Sequence, residues 1–498
     1  MKILFVAAEV APFVSVGGLS QVMYFLPKAL ARLGHDVRIF TAKYGAMDDN
    51  APKNGWNLET EFSQLAVPTG AEHEGIICNV KSYTDKRTKL KTYFLENREY
   101  YELRANVFGY KDDHIRFGLL SKGSLEWLMR QKDTNGWFPD MIHSHDWHTA
   151  YVSDFARRDN RYKSIFAQTP FVLTVHNFAF QGNYDFRYGP KEDYDDGIVP
   201  LAPILTKKFQ TQNALKRGLL YSDAVNTVSQ THAVEVLTPE YSEGLEDVLQ
   251  AAREKVTGIL NGLDIQKFNP ATDTRIKKNY SSRSFLRARE ENKRELQKWF
   301  GLPVDSSRPL LAFCGRLTKQ KGLDLLLSVL PPLLIERPEV QVILIGSGDE
   351  RYRLELTVLQ KSFKKQIGLH LRPDFRLPRK IYAGADMMLL PSIFEPGGIV
   401  CLEALRYGCV PIVRRTGGLN DIITDFNPTT RKGNGFSFRH KDHWALYGAI
   451  VEALTWYHYP KLWTTVVRNA LIGDFSWNHA AQDYDAWYKR IRNQKKYD

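Results

Sequence analysis

Residues 394–419 read FEPGGIVCLEALRYGCVPIVRRTGGL. Glu395 stands directly before a Pro-Gly-Gly turn containing Gly397 and Gly398. Glu403 follows, with seven residues between the two glutamates. One apolar segment later come Thr416 and a second glycine pair, Gly417-Gly418. The pattern predicts an acidic glycine turn, a helix, a short buried strand and another glycine turn, which is a unit of a doubly wound α/β sheet. Glycines let main-chain N–H groups approach oxygens closely. A helix amino terminus attracts anions, and a carboxylate in the turn can grip sugar hydroxyls. The stretch is suited to holding a sugar diphosphate. Two helical turns separate Glu395 from Glu403, so both are expected on one face. Paired carboxylates also serve glycoside hydrolases as acid and base. The cations Arg316, Lys321, Arg414 and Arg415 favour an anionic leaving group instead.

The same alternation extends outward. PLLAFCG (309–315), VQVILIGSG (340–348), ADMMLLPS (385–392) and CVPIVRR (409–415) read as buried strands of one series. ILFVAAEV (3–10), DVRIF (36–40), DMIHS (140–144), FVLTVHN (171–177) and AVNTVS (224–229) read as an earlier series, with a helix around 20–33. A polar, charged stretch (266–307) lies between them. The chain is expected to form two doubly wound, Rossmann-like domains, 1–265 and 266–474, facing a deep cleft, with 475–498 as a closing helix that crosses back to the first. Ligands of such sheets bind outside the carboxyl ends of the strands.

Bulk properties narrow the class. The 498 residues exceed one ordinary core and suit two domains of roughly 200–250 residues. No apolar run approaches the ~20 residues of a membrane span. MKILFVAAEVAPF, with Glu9 and no small-residue cleavage pattern, reads as a first buried strand rather than a leader. Four scattered cysteines (Cys78, Cys314, Cys401, Cys409) match no metal spacing and suit buried thiols in a reducing cytoplasm. A net charge of +12 is spread along the chain without a zinc finger, an aromatic RNA-binding signature or a long basic arm, which argues against a nucleic-acid partner.

Four further segments carry candidate chemistry. Gly17 and Gly18 open a helix after the first strand, either as an anion cradle or as a plain tight turn. HSHDWHT (143–149) invites a metal reading, but its spacing is not that of H-E-x-x-H. Asp146 at a strand end is the better ligand contact. In VLTVHNFAFQG (172–182), His176 ends a buried strand, either as a core histidine or as part of a site with Asp146, and Asn177 can brace the following turn. In GRLTKQKGLD (315–324), Arg316 and Lys321 flank a strand-to-helix turn, an arrangement that favours a diphosphate.

Taken in order, HSHDWHTAYV, TVHNFAFQGNY, TVSQTHAVEVLTPEY, GILNGLDIQKFNPATD, GRLTKQKGLDLLL, FEPGG, RYGCVPIVRRTGGLND and FSWNHAAQDYDAWY resemble the glycogen and starch synthase family of retaining glucosyltransferases nearly end to end. The resemblance implies the GT-B fold. It also implies transfer of glucose from a nucleoside diphosphate-glucose (ADP- or UDP-glucose, a substrate rather than a cofactor) to the non-reducing end of an α-1,4-glucan. Arg316 and Lys321 are then expected to hold the diphosphate and to do the work a metal does elsewhere. Glu395 binds the donor sugar, aided by Gly397 and Gly398. His176 and Asp146 line the reacting sugar, and Gly17, Gly18, Thr416, Gly417, Gly418 and Glu403 support the donor. No metal, cofactor or membrane is implied, and the location is cytoplasmic.

Departures from the family pattern are specific. Its K-x-G-G-L reads Ser15-Val16-Gly17-Gly18-Leu19, so a phosphate-contacting lysine is absent. The next G-D-V reads Ser20-Gln21-Val22, and E-P-C-G reads Glu395-Pro396-Gly397-Gly398. The aromatic residue that stacks on adenine aligns near Pro373, with Phe375 as a replacement. Glu403 restores the E-x7-E pattern of the wider GT-B group. These changes keep two alternatives open: a GT-B transferase with another donor or acceptor, and a catalytically weak glucan-binding protein.

Overall fold

The computed structural model describes residues 1–47, 56–68, 75–183, 213–374 and 376–497. The chain divides into two compact units. One is Met1–Val228, Ala233–Ile259 and Trp477–Asp498; the other is Ser229–His232 and Leu260–Ser476.

The first unit is built on nine strands: β1 (Lys2–Val6), β2 (Asp36–Ala42), β3 (Glu59–Pro68), β4 (Gly75–Thr84), β5 (Lys91–Glu96), β6 (Met141–His145), β7 (Phe171–Val175), β8 (Ala224–Thr227) and β9 (Val256–Gly258). They lie in the order β3-β4-β5-β2-β1-β6-β7-β8-β9. The β3–β4–β5 meander is antiparallel and the other pairs are parallel. Successive side chains of a strand face opposite sides. Accordingly Leu4, Val6 and Ala8 enter the core on one face, while Ile3, Phe5 and Ala7 enter that on the other. The helix Asp113–Asn135 covers the first face through Phe117, Leu120 and Trp127. The helices Gly18–Arg32 and Trp477–Tyr497 cover the second. The Tyr484 hydroxyl on that helix accepts the Asn226 amide N–H at 2.9 Å.

The second unit carries six parallel strands: β10 (Leu310–Cys314), β11 (Gln341–Ile345), β12 (Ile367–His370), β13 (Met387–Leu390), β14 (Val410–Arg414) and β15 (Phe436–Phe438). Their order is β12-β11-β10-β13-β14-β15. Every residue of β10, β11, β13 and β14 is buried. Helices cover both faces of such a sheet, so its strands read as continuous apolar runs.

The strand order reverses between β1 and β6 in the first unit and between β10 and β13 in the second. These are the switch points where an open α/β sheet leaves a crevice at its carboxyl edge. The candidate residues fall there. Gly17 and Gly18 follow β1, Asp146 follows β6, Arg316 and Lys321 follow β10, and Glu395 follows β13. The expected strand 3–10 ends at Val6, which frees Glu9 from the sheet. All four cysteines are buried and free.

Candidate active site

In the second unit, β10 ends at Cys314 and the chain turns through Gly315 and Arg316 to Lys321 before the helix Leu323–Glu336. Gly322 makes this possible. Its φ is +76°, and a Cβ there would stand 2.1 Å from the Pro391 carbonyl oxygen, so the loops after β10 and β13 touch backbone to backbone. Lys321 Nζ lies 2.5 Å from Glu395 Oε2, and Ser392 Oγ donates to the same oxygen at 3.0 Å. Gln320 binds both loops, accepting the Ile393 N–H at 2.7 Å through its main-chain oxygen and also accepting from Arg316 through Oε1 at 3.0 Å. The result is a half-buried carboxylate gripped by a cation and a hydroxyl, with a second cation, Arg316, two residues beyond β10.

Arg316 also lines a pocket of about 820 Å³ at the carboxyl edge of the sheet, with Gly315, Gly346, Ser347, Pro373, Tyr382 and Glu403 among its walls. Lys267, Arg275, Arg372, Arg376 and Arg379 make it strongly basic, against Asp374 and Glu403. These cations come from separated stretches, and no spacing in the sequence signals them. Phe375 lies outside the described residues.

Several expected roles change. Glu395 and Glu403 do not share a helix face, because the helix spans Ile399–Arg406 and Glu395 sits in the turn before it. Glu403 instead accepts from Tyr382 Oη at 2.8 Å inside the pocket. Arg414 is buried and donates to the Ser392 and Ile393 carbonyls, bracing the loop that carries Glu395. Arg415 is spent on Asp425 and Ser437. The Gly418 N–H donates to the carbonyls of Glu395 and Pro396 at 3.0 Å each, so it shapes the turn rather than offering itself to an anion. Gly417, with φ +43°, is required because a Cβ would stand 2.3 Å from the Glu395 carbonyl oxygen. Gly397 faces Gly418 just as closely, and Gly398 (φ +64°) starts the helix. Thr416 is buried at the end of this packing.

Burial pushes the Glu403 carboxyl up to about 7, against the Tyr382 hydrogen bond and the charges of Arg379 and Lys267. A folded-state value raised above the ordinary 4.5 stabilises the protein most below about 4.5 and loses that contribution as pH climbs to about 7. Urea titrations between pH 5 and 8 should therefore show the parent weakening relative to Glu403→Gln. A pH-independent difference between the two proteins would contradict the buried, proton-binding carboxyl.

In the first unit, β6 delivers Asp146 in a left-handed conformation (φ +56°), a strained setting for a residue other than glycine. Its carboxylate accepts the His176 main-chain N–H at 2.7 Å, and burial raises its pKa. Asn177 Oδ1 accepts the Ala179 N–H at 3.0 Å and closes the following turn. His176 Nε2 lies 3.1 Å from His145 Nδ1, with the rings stacked 5.4 Å apart. Burial lowers the pKa of His176 and takes that of His145 well below the usual range, so both are neutral. His143 belongs to the core, bonded to Tyr488 Oη at 2.6 Å and Thr174 Oγ1 at 2.7 Å. Among the described residues no group of three His, Cys, Asp or Glu side chains is placed to hold a metal ion.

The loop after β1 is also not an open cradle. Glu9, buried at the strand end, accepts the N–H groups of Val16 (2.6 Å) and Gly17 (3.0 Å). The Gly17 amide is thus satisfied from within the protein. Gly18 has open space where a side chain would stand. Ser15, in place of the lysine, shares a 2.7 Å hydrogen bond with Ser20, which in turn donates to the Gly17 carbonyl at 2.8 Å. Glu9 was not singled out by sequence reasoning. An acid directly after an apolar run reads as a strand terminus, and nothing local reveals the N–H groups it collects.

Comparison with known proteins follows the same two units. Residues 2–251 match the family described as the starch synthase catalytic domain, and residues 297–463 match glycosyl transferases group 1. A glycogen synthase of Clostridium beijerinckii is 37% identical over 511 residues, covering 99% of this chain and 100% of that one. The catalytic domain of starch synthase IV from Arabidopsis thaliana, solved bound to ADP and acarbose, is 31% identical with a TM-score of 0.78 and covers 99% of each chain. A sucrose-phosphate synthase from Thermosynechococcus elongatus shares the fold alone, at 17% identity and a TM-score of 0.56 over 98% of each chain. Among the described residues no helix is long and apolar enough to cross a membrane.

Proposed function

We infer the reaction from one premise: this chain belongs to the glycogen and starch synthase family of glycosyltransferases. Its two α/β units are those of a GT-B enzyme. The reaction we propose moves glucose from ADP-glucose to the non-reducing end of an α-1,4-glucan, with retention at the anomeric carbon. The observation that carries this reading is the cluster of Lys321, Glu395 and Ser392 beside Arg316 at the switch point of the second unit. It joins cations for a diphosphate to a carboxylate for sugar hydroxyls. The choice of adenine is supported by the ADP bound to the Arabidopsis relative.

In the proposed mechanism the bond between the anomeric carbon and the β-phosphate oxygen breaks, and negative charge grows on the diphosphate. Arg316 and Lys321 are the cations assigned to meet that charge, and fixed charges of this kind stabilise a transition state without reorganisation. The acceptor hydroxyl attacks from the face the phosphate leaves. Its proton passes to the departing phosphate oxygen as the new glycosidic bond forms, so no protein nucleophile is needed. Glu395, held by Ser392, binds the sugar hydroxyls. His176 and Asp146 are assigned to the reacting sugar, where a neutral imidazole can hydrogen-bond without adding charge.

The test is incubation with glycogen and labelled ADP-glucose or UDP-glucose. Label is expected in polymer, more of it from ADP-glucose. Absence of label from both donors would sink the reading. Glu403 in the basic pocket and Ser15 in the first unit favour one second reading, a GT-B transferase with a different nucleotide sugar. A wider donor panel separates the two.

A further inference from the structure

His145 has no role in the reaction as described, yet its surroundings are unusually constrained. Its ring is fully buried, stacked on His143 at 4.2 Å and on Phe5 at 5.6 Å, and it continues the stack to His176. One ring nitrogen, Nδ1, lies 3.1 Å from His176 Nε2. The other, Nε2, is enclosed and has no hydrogen-bonding partner among the described residues. A neutral imidazole carries one N–H, and its location follows from the network around it. A hydrogen on His145 Nε2 would be an orphaned buried donor, which proteins avoid more strictly than an unmatched acceptor. The hydrogen therefore belongs on His145 Nδ1, pointing at His176. His143 does not upset this arrangement, since both its nitrogens meet hydroxyl groups that rotate to suit either tautomer.

We propose that His145 is a positioning residue whose Nδ1–H, donated to His176 Nε2, holds His176 in the tautomer with its hydrogen on Nδ1. The functional consequence rests on the reading that His176 meets the reacting sugar. In this tautomer the His176 lone pair is already occupied by His145. His176 is then a hydrogen-bond donor to substrate oxygen and not a general base, which fits a reaction whose acceptor proton leaves with the phosphate. A histidine at 145 matters because the shared hydrogen bond sets which end of the neighbouring ring donates.

The experiment is nitrogen-15 NMR of the full-length protein labelled at histidine, with His176 signals assigned by loss in His176→Ala. In the parent, His176 should be protonated at Nδ1 and bare at Nε2. His145→Leu removes the donor, and His176 should shift toward the Nε2–H form. Its kcat should fall about tenfold, a loss on the scale of one hydrogen bond, with the donor KM little changed. His145→Asn places an amide N–H near the same position and should restore both the Nδ1–H signature and most of kcat. A parent His176 protonated at Nε2 would overturn the proposal, and so would His145→Leu with unchanged His176 signals. If the tautomers behave as stated but His176→Ala keeps full kcat, the positioning role stands and the assignment of His176 to the sugar falls. The parent spectrum alone decides the tautomer if His145→Leu does not fold.

Discussion

Lys321→Ala is expected to lower kcat for glucosyl transfer by about a hundred- to a thousandfold, the loss typical of removing one preorganised oxyanion-stabilising group. Two effects act together. The leaving diphosphate loses one of the two cations placed after β10. Glu395 also loses the ammonium 2.5 Å away and keeps, among the described residues, the Ser392 hydroxyl, so a half-buried carboxylate is left facing an anionic donor. Removing one partner of such a pair costs more than the pair itself contributes, because the other charge is stranded. The change falls on kcat more than on donor KM, because charge on the phosphate is greatest in the transition state. Lys321→Arg should recover only part of the rate. The planar fork of arginine does not reproduce a compact ammonium on a carboxylate oxygen that Ser392 already shares. Initial rates of label transfer to glycogen, with thermal melts to confirm folding, measure the effect. A Lys321→Ala enzyme as fast as the parent would remove Lys321 from the donor site.

The residues that decide the architecture were legible because parallel strands buried on both faces spell continuous apolar runs. LLAFC, QVILI and MMLL all became strands, with their glycine turns at the ligand edge. The β3–β4 hairpin was not seen, because it is half-exposed and mixes polar with apolar residues. At the site, sequence located which side chains follow strands but not which were already committed. Arg414 and Arg415 look like free cations in RRTGG, and each is consumed within the protein. Gly17 and Gly418 look like amide donors for an anion, and Glu9 and the Glu395 turn take those amides. The pairing of Lys321 with Glu395 joins loops that follow two different strands, β10 and β13, and depends on the sheet order, which no local motif encodes. The basic wall of the Glu403 pocket is gathered from equally distant stretches.

These commitments sharpen the meaning of the altered loop after β1. Since Glu9 holds the Val16 and Gly17 amides, those two N–H groups are not offered to a phosphate. The charge that the family pattern supplies by lysine is also missing, and the Ser15 hydroxyl is bonded to that of Ser20, which donates to the Gly17 carbonyl. The glycine pair of the turn is kept while the charge of the lysine is lost.

Ser15→Lys is accordingly expected to raise kcat/KM for the nucleotide sugar by about ten- to a hundredfold, since a charge-assisted hydrogen bond contributes about 1.5–3 kcal/mol and each 1.36 kcal/mol removed from the barrier is a factor of ten. The position tolerates the change. Ser15 is exposed, and its hydroxyl bond to Ser20 is a partly exposed contact between neutral groups, whose loss costs about 0.5–1.5 kcal/mol at most. Ser20 keeps its donation to the Gly17 carbonyl, and Glu9 keeps the turn, so the new side chain is added to an intact loop. Ser15→Met supplies a side chain of similar reach without charge and should leave the rate unchanged. The gain of the lysine variant should shrink as ionic strength rises, because an exposed charge is screened within about 10 Å at 0.1 M salt. Equal rates for the lysine and methionine variants would show that the loop after β1 does not meet the donor phosphate in this protein. The cations after β10 would then carry that task alone.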